Sequence, residues 1–195
     1  SVKNKIMQDI TNASNSCGPT SLLFVNNHFS VKQTGIKAEF ISSTSAAISE
    51  LQGMYSYINE GYNAETSLNQ LKKIAKYDWG WSNVRRRSAS DGVDTNVGKL
   101  IIDLTNNRPG LIVLDSNFSG NPTRNTVSID HIVIAYAYQR RRDDNGYGAS
   151  SPYNNHQNDR IYFYDPYFGG NGYFTWGEIG TAVYLAGVAY LQLAP

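Results

Sequence analysis

Cys17 is the one cysteine in a chain of 195 residues. A lone thiol is either a small buried hydrophobe or a nucleophile, and with no other information the first is the commoner role. The setting of Cys17 favours the second. Asn15-Ser16-Cys17-Gly18-Pro19-Thr20-Ser21 puts the thiol at the start of a predicted helix, because proline is favoured in a helix's first turn. Exposed N–H groups and a partial positive charge at such a terminus favour a thiolate, which is the reactive form. Gly18 is expected to leave room for a substrate to approach the sulfur.

A cysteine nucleophile needs a base. His131 opens the apolar run His131-Ile132-Val133-Ile134, and an imidazole can both take the thiol proton and pair with the thiolate. A carboxylate can then fix the imidazole tautomer. Asp165, in Tyr164-Asp165-Pro166-Tyr167, ends the next clear strand. Antiparallel pairing of those strands sets the start of one beside the end of the other, so a hairpin would place His131 next to Asp165. Asp130 is a weaker rival, since neighbours on a strand point to opposite faces.

The other histidines fit less well. His28 lies eleven residues after Cys17, about 16 Å along a helix at roughly 1.5 Å per residue. His156 sits in a polar insert, a poor place for a positioned base. An attacked carbonyl also needs donors for its developing charge. The Cys17 backbone N–H is one; Gln8 is the preferred side-chain donor, with Asn12 and Asn15 as rivals. The clusters Arg85–Arg87 and Arg140–Arg142 read as solvated loop charge.

Positioning these groups falls to elements that the pattern outlines. Leu22, Val25 and Phe29 continue the helix after Cys17. A second helix spans about Thr44 to Asn59, with Ala47, Leu51, Met54, Tyr55 and Ile58 on one face. Thr66-Ser67 is placed to cap a third helix, ending before Trp79-Gly80, and Asp94 or Thr95 a fourth, broken at Asn106–Gly110. Strands follow at Leu111–Leu114, Ile129–Tyr138 and Ile161–Tyr164, with one or two more within Val183–Leu193. The order, helices and then an antiparallel sheet, is an α+β arrangement. One domain over residues 1–195 accommodates it, with a polar insert at about 139–160. Tyr164, Tyr167, Phe168, Tyr173, Phe174 and Trp176 read mainly as core and loop packing near Asp165.

Composition removes other classes. Hydrophobic residues make up 41%, enough for a normal core, and the net charge of +1 gives no argument for nucleic acid. No apolar run reaches bilayer length. One cysteine and three scattered histidines make no zinc-like spacing, and calcium and phosphate loops are absent from the sequence. No signal segment is visible after Ser1, but abundant Asn, Ser, Gly and Tyr lean towards export.

Taken together, Gln8, Cys17-Gly18-Pro19-Thr20-Ser21, Asn107-Arg108-Pro109-Gly110-Leu111-Ile112-Val113, His131-Ile132-Val133-Ile134 and Tyr164-Asp165-Pro166 resemble the bacteriocin-processing (double-glycine leader) cysteine peptidases. The likeness is greater to their stand-alone C39-like relatives, which lack a transporter. The resemblance implies a bacterial protein of papain-like fold, with N-terminal helices packed on an antiparallel sheet. It implies Cys17 as nucleophile, His131 as base, Asp165 as orienting carboxylate and Gln8 as oxyanion donor. It also implies a peptide or protein substrate and no metal or organic cofactor. Two other readings stand beside it. The same triad serves a deamidase, transglutaminase or acyltransferase, because only the group that resolves the acyl-enzyme differs. A papain-like scaffold can also be a silent binding module.

Overall fold

The computed structural model describes residues 13–31, 44–87, 93–114, 131–141, 158–167, 170–175 and 190–194. Its first element is α1 (Cys17–Val31). The sequence pattern marks one apolar face. In the structure Leu22, Leu23, Phe24 and Val25 are all buried, along with the polar Thr20 and Ser21. A helix that is buried on every side has layers on every side. Here those are α2 (Thr44–Tyr57) and α3 (Leu68–Lys73) on one flank and the sheet on the other.

Helix α2 buries Ala47, Leu51, Met54 and Tyr55, with Ile58 just beyond its end, as its periodicity predicts. Ser67 starts α3: its hydroxyl accepts from the Gln70 N–H at 3.2 Å, while the Ser67 N–H donates to Gln70 Oε1 at 2.9 Å. This reciprocal box satisfies two donors that a helix start leaves open. Because α3 has only six residues, its first turn depends on the cap. Ser67→Ala is expected to lower stability by about 1 kcal/mol, read as a shift in the denaturant midpoint at unchanged slope. A single π-helical turn, Ile74–Asp78, follows α3 and ends at Trp79.

The strands are β1 (Asn83–Arg87), β2 (Gly110–Leu114), β3 (His131–Gln139), β4 (Arg160–Asp165), β5 (Gly170–Thr175) and β6 (Tyr190–Ala194). They form one sheet in the order β1-β6-β2-β3-β4-β5, with every pair antiparallel. Between β1 and β2 runs α4 (Val93–Thr105). The α+β class therefore stands, with three differences from the sequence reading. First, Arg85–Arg87 are not loop residues but an edge strand paired with β6. Second, β1 precedes α4, so the helices do not all come before the strands. Third, β5 is a strand that the pattern did not outline. The helices cover both faces of the sheet.

Strand alternation makes this visible. Leu111, Ile132, Ile134, Tyr164, Leu191 and Leu193 pack with α1, α2 and α3. Ile112, Val133, Ala135, Ile161, Phe163 and Phe174 pack with Leu100 and Leu104 of α4. Successive strand residues point to opposite faces, so α4 covers the side of the sheet that α1 does not. Among the described residues, no helix is long and apolar enough to cross a membrane.

Candidate active site

The N-terminus of α1 is fixed before any chemistry is considered. Ser16 is fully buried, and its hydroxyl donates to Ala13 O at 2.7 Å. With that proton used, Ser16 Oγ accepts from the Thr20 hydroxyl, 2.9 Å away. The Thr20 N–H donates to Ser16 O at 2.8 Å, which is the opening hydrogen bond of the helix. Asn15 is tethered too, its N–H donating to Asn63 Oδ1 at 2.8 Å. Asn63 sits at φ 70° in the turn that leads to α3. Cys17, half-buried, is the first helical residue. Backbone N–H groups of a first turn have no acceptor within the helix.

Gly18 does something other than expected. A Cβ there would lie 2.4 Å from Thr66 Oγ1, 3.0 Å from Leu71 Cδ1 and 3.3 Å from Ile132 Cδ1. The missing side chain lets α1 approach α3 and β3, and the space beside it is filled by protein.

The other two groups come from the sheet. Ile134 pairs with Tyr164 and Ala135 with Phe163. Continuing that register towards the start of β3 sets Asp165 opposite Val133, and His131 two residues further along the same face. Diagonal neighbours of this kind are within reach of long side chains. His131 Nε2 and Asp165 Oδ1 are 2.7 Å apart, both side chains buried. A carboxylate accepts, so Nε2–H is the donor, and the length suits a charge-assisted bond. Asp165 Oδ1 also accepts from the Tyr167 N–H at 2.9 Å, and the Tyr167 ring stands edge-on to His131 with centroids 6.3 Å apart.

With Nε2 committed to Asp165, Nδ1 is the nitrogen left for Cys17. The thiol lies near enough to influence the titration of the imidazole. Burial is the largest single influence on His131 and pulls its pKa down. The Asp165 hydrogen bond, the Cys17 hydrogen bond and the charges of both together outweigh it, so the pKa is raised. Tyr55, on α2, closes another side: its hydroxyl donates to Ala64 O at 2.9 Å, and desolvation, then the Cys17 charge, push its pKa up.

Cys17, His131 and Asp165 are thus brought together. Gln8, Asn12, Asp130 and His156 lie outside the described residues. Asn15 is exposed. His28 is buried far along α1, its ring against Phe29. Of the aromatic group, Tyr164 and Phe174 are core, Tyr173 packs at a tilt against Tyr162 on β4, and Tyr167 borders His131; Phe168 and Trp176 lie outside the described residues. The neck of the 139–160 insert holds a clamp that sequence reasoning missed. Buried Asp159 accepts from the Arg141 N–H at 2.7 Å and from the Tyr138 hydroxyl. An acid just before one strand and a tyrosine near the end of its partner was the available signal. Among the described residues, no group of three or more His, Cys, Asp and Glu is placed to hold a metal ion.

The chain matches no family model, and no curated protein matches it, so a functional reading rests on these three side chains and the elements that aim them.

Proposed function

We propose that the chain is a papain-like cysteine hydrolase that cuts a peptide or protein substrate through Cys17, His131 and Asp165. The observation that carries this reading is the buried His131–Asp165 hydrogen bond, beside a helix start whose Cys17 thiol influences the same imidazole. A structural histidine needs one partner; an imidazole held by a carboxylate and set near a thiol at a helix start has the parts of a general base and its nucleophile.

In this mechanism His131 Nδ1 takes the Cys17 proton, and the sulfur attacks the substrate carbonyl carbon. The oxygen of the tetrahedral intermediate is met by the Cys17 backbone N–H, with Gln8 as the proposed second donor. The intermediate collapses to a thioester as the His131 imidazolium protonates the departing amine. Water then attacks the thioester while His131 accepts its proton, and the acid and free thiol are released. Asp165 holds Nε2–H throughout and stabilises the imidazolium.

Alkylation tests this directly, because Cys17 is the sole cysteine and any bound label reports on it alone. Iodoacetamide labelling near pH 6 is expected to slow about tenfold or more in His131→Ala, with Cys17→Ala as the unlabelled blank. A peptide library should show Cys17-dependent cleavage. Equal labelling of wild type and His131→Ala, together with no Cys17-dependent product, would sink the enzyme reading. Product masses separate hydrolysis from deamidation or transfer to an amine.

A further inference from the structure

The helix start that carries Cys17 departs from the usual way of closing a helix. The Thr20 N–H donates to Ser16 O at 2.8 Å, which puts Ser16 in the capping position of α1. A serine there ordinarily turns its hydroxyl back to accept from the N–H two or three residues on. Three residues on is Pro19, which has no N–H, so Gly18 holds the donor that such a cap would take. Ser16 does not take it. Its hydroxyl donates to Ala13 O at 2.7 Å and meets the Thr20 hydroxyl at 2.9 Å. Among the described residues, the N–H groups of Cys17 and Gly18 have no hydrogen-bond acceptor.

Burial alone does not account for this choice. Ser16 and Thr20 are both fully buried, so each hydroxyl must be paired within the protein. A cap on Gly18 would pair Ser16 as well, and would stabilise the helix besides. The pairing that is present satisfies both hydroxyls, and it leaves the positive end of α1 unshielded beside the thiol. Negative charge appears there twice in the proposed reaction, first on the Cys17 sulfur and then on the substrate oxygen. Every N–H that a cap takes is one fewer for that charge.

We propose that Ser16 and Thr20 are positioning residues for the nucleophile: Thr20 holds the Ser16 hydroxyl away from the helix end, so that the Cys17 and Gly18 N–H groups stay open to the charge that develops at the sulfur. Both side chains are buried and neither touches substrate. They act through the first turn of α1. The inference rests on the hydrolase reading, since only a reactive thiol has a use for an uncapped helix start.

The test is a series of variants compared by iodoacetamide labelling of Cys17 near pH 6, with stability measured by denaturant. Thr20→Val keeps the shape of the side chain and removes its hydroxyl. Ser16 Oγ, left without that donor, is expected to turn to the Gly18 N–H. Labelling should then slow about three- to tenfold, the size of effect that a cap or a charge exerts at a helix start. The Gly18 amide proton resonance should move downfield in the same variant, because it gains an acceptor. Thr20→Ser returns the hydroxyl and should recover most of the rate. Adding Ser16→Ala to Thr20→Val removes the group that would cap, so the double variant should label faster than Thr20→Val even though it unfolds at lower denaturant. A merely structural role gives the opposite order. Labelling that falls in step with stability across the series, or equal labelling of wild type and Thr20→Val, would overturn the inference. His131→Ala in the same series separates the two claims. Slow labelling there, with Thr20→Val equal to wild type, overturns this inference alone; labelling in His131→Ala equal to wild type overturns the hydrolase reading beneath it.

Discussion

Asp165→Ala is expected to lower kcat/KM, or the labelling rate of Cys17, by roughly 10²- to 10⁴-fold, the range seen when a general base loses its function or orientation. The loss begins at a single bond. Without Oδ1 the His131 ring has no acceptor for Nε2–H, a buried donor is left unsatisfied, and the ring is free to turn Nδ1 away from the sulfur. Stability should fall as well, by about 1–3 kcal/mol for the orphaned donor, so folding of the variant is checked by circular dichroism. Asp165→Asn separates position from charge. An amide oxygen still accepts Nε2–H, so this variant should keep the ring in place and lose only about tenfold, near the 1.4 kcal/mol that corresponds to one power of ten.

The pH profile supplies a readout that a merely structural aspartate would not move. The His131 pKa is raised in the folded chain above its ordinary value of 6.5. A raised histidine pKa contributes stability that is fully present below the unfolded value and is lost as pH rises through the folded one. Removing the Asp165 charge lowers the folded value, so the acidic limb of the activity profile, where the general base gains its proton, should move to lower pH. The extra stability below the histidine range should shrink with it. An Asp165→Asn variant with an unmoved profile and unmoved rate would assign Asp165 to packing alone.

Much of this site was legible because it rests on local rules. Pro19 fixes where α1 begins, and therefore where Cys17 sits. His131 and Asp165 meet because one begins β3 and the other ends β4, which strand pattern and antiparallel pairing together require. What sequence could not supply was information held between elements. The apolar residues of α4 reveal a buried face but not which side of the sheet it covers. Three consecutive arginines hide β1, since an edge strand is held by backbone bonds to β6 that carry no side-chain signature. Strand β5 is hidden by Gly170 and Gly172, because glycine weakens the signature of a strand. The π-helical turn adds one residue to a helical pitch, which a 3.6-residue pattern does not register.

Gly18 is the clearest instance, and it carries the second large prediction. Two glycines, Gly18 and Gly53, both lie in helices, yet the structure separates them: open space faces one and three side chains face the other. Alanine at Gly18 would gain about 1 kcal/mol of helix propensity. Against that stand Leu71, fully buried, and Thr66, a short β-branched side chain that cannot swing clear as a long flexible one would. Overpacking of this kind costs about 1–3 kcal/mol. Gly18→Ala should therefore lower stability by up to about 2 kcal/mol net, measured as a fall in the unfolding midpoint. The larger effect should fall on chemistry. Relief of the clash moves the start of α1, and Cys17 moves with it; a displacement of about 1 Å in a reacting group costs about 10²-fold. Thr66→Ala is the control. Thr66 Oγ1 is buried without a hydrogen-bond partner among the described residues, so its removal alone should be close to neutral in stability. Combined with Gly18→Ala it should restore at least half of the lost stability and much of the labelling rate, because contacting pairs are non-additive. Simple additivity of the two substitutions, with labelling no slower in Gly18→Ala than in wild type, would mean that the close approach at Gly18 does not position the thiol.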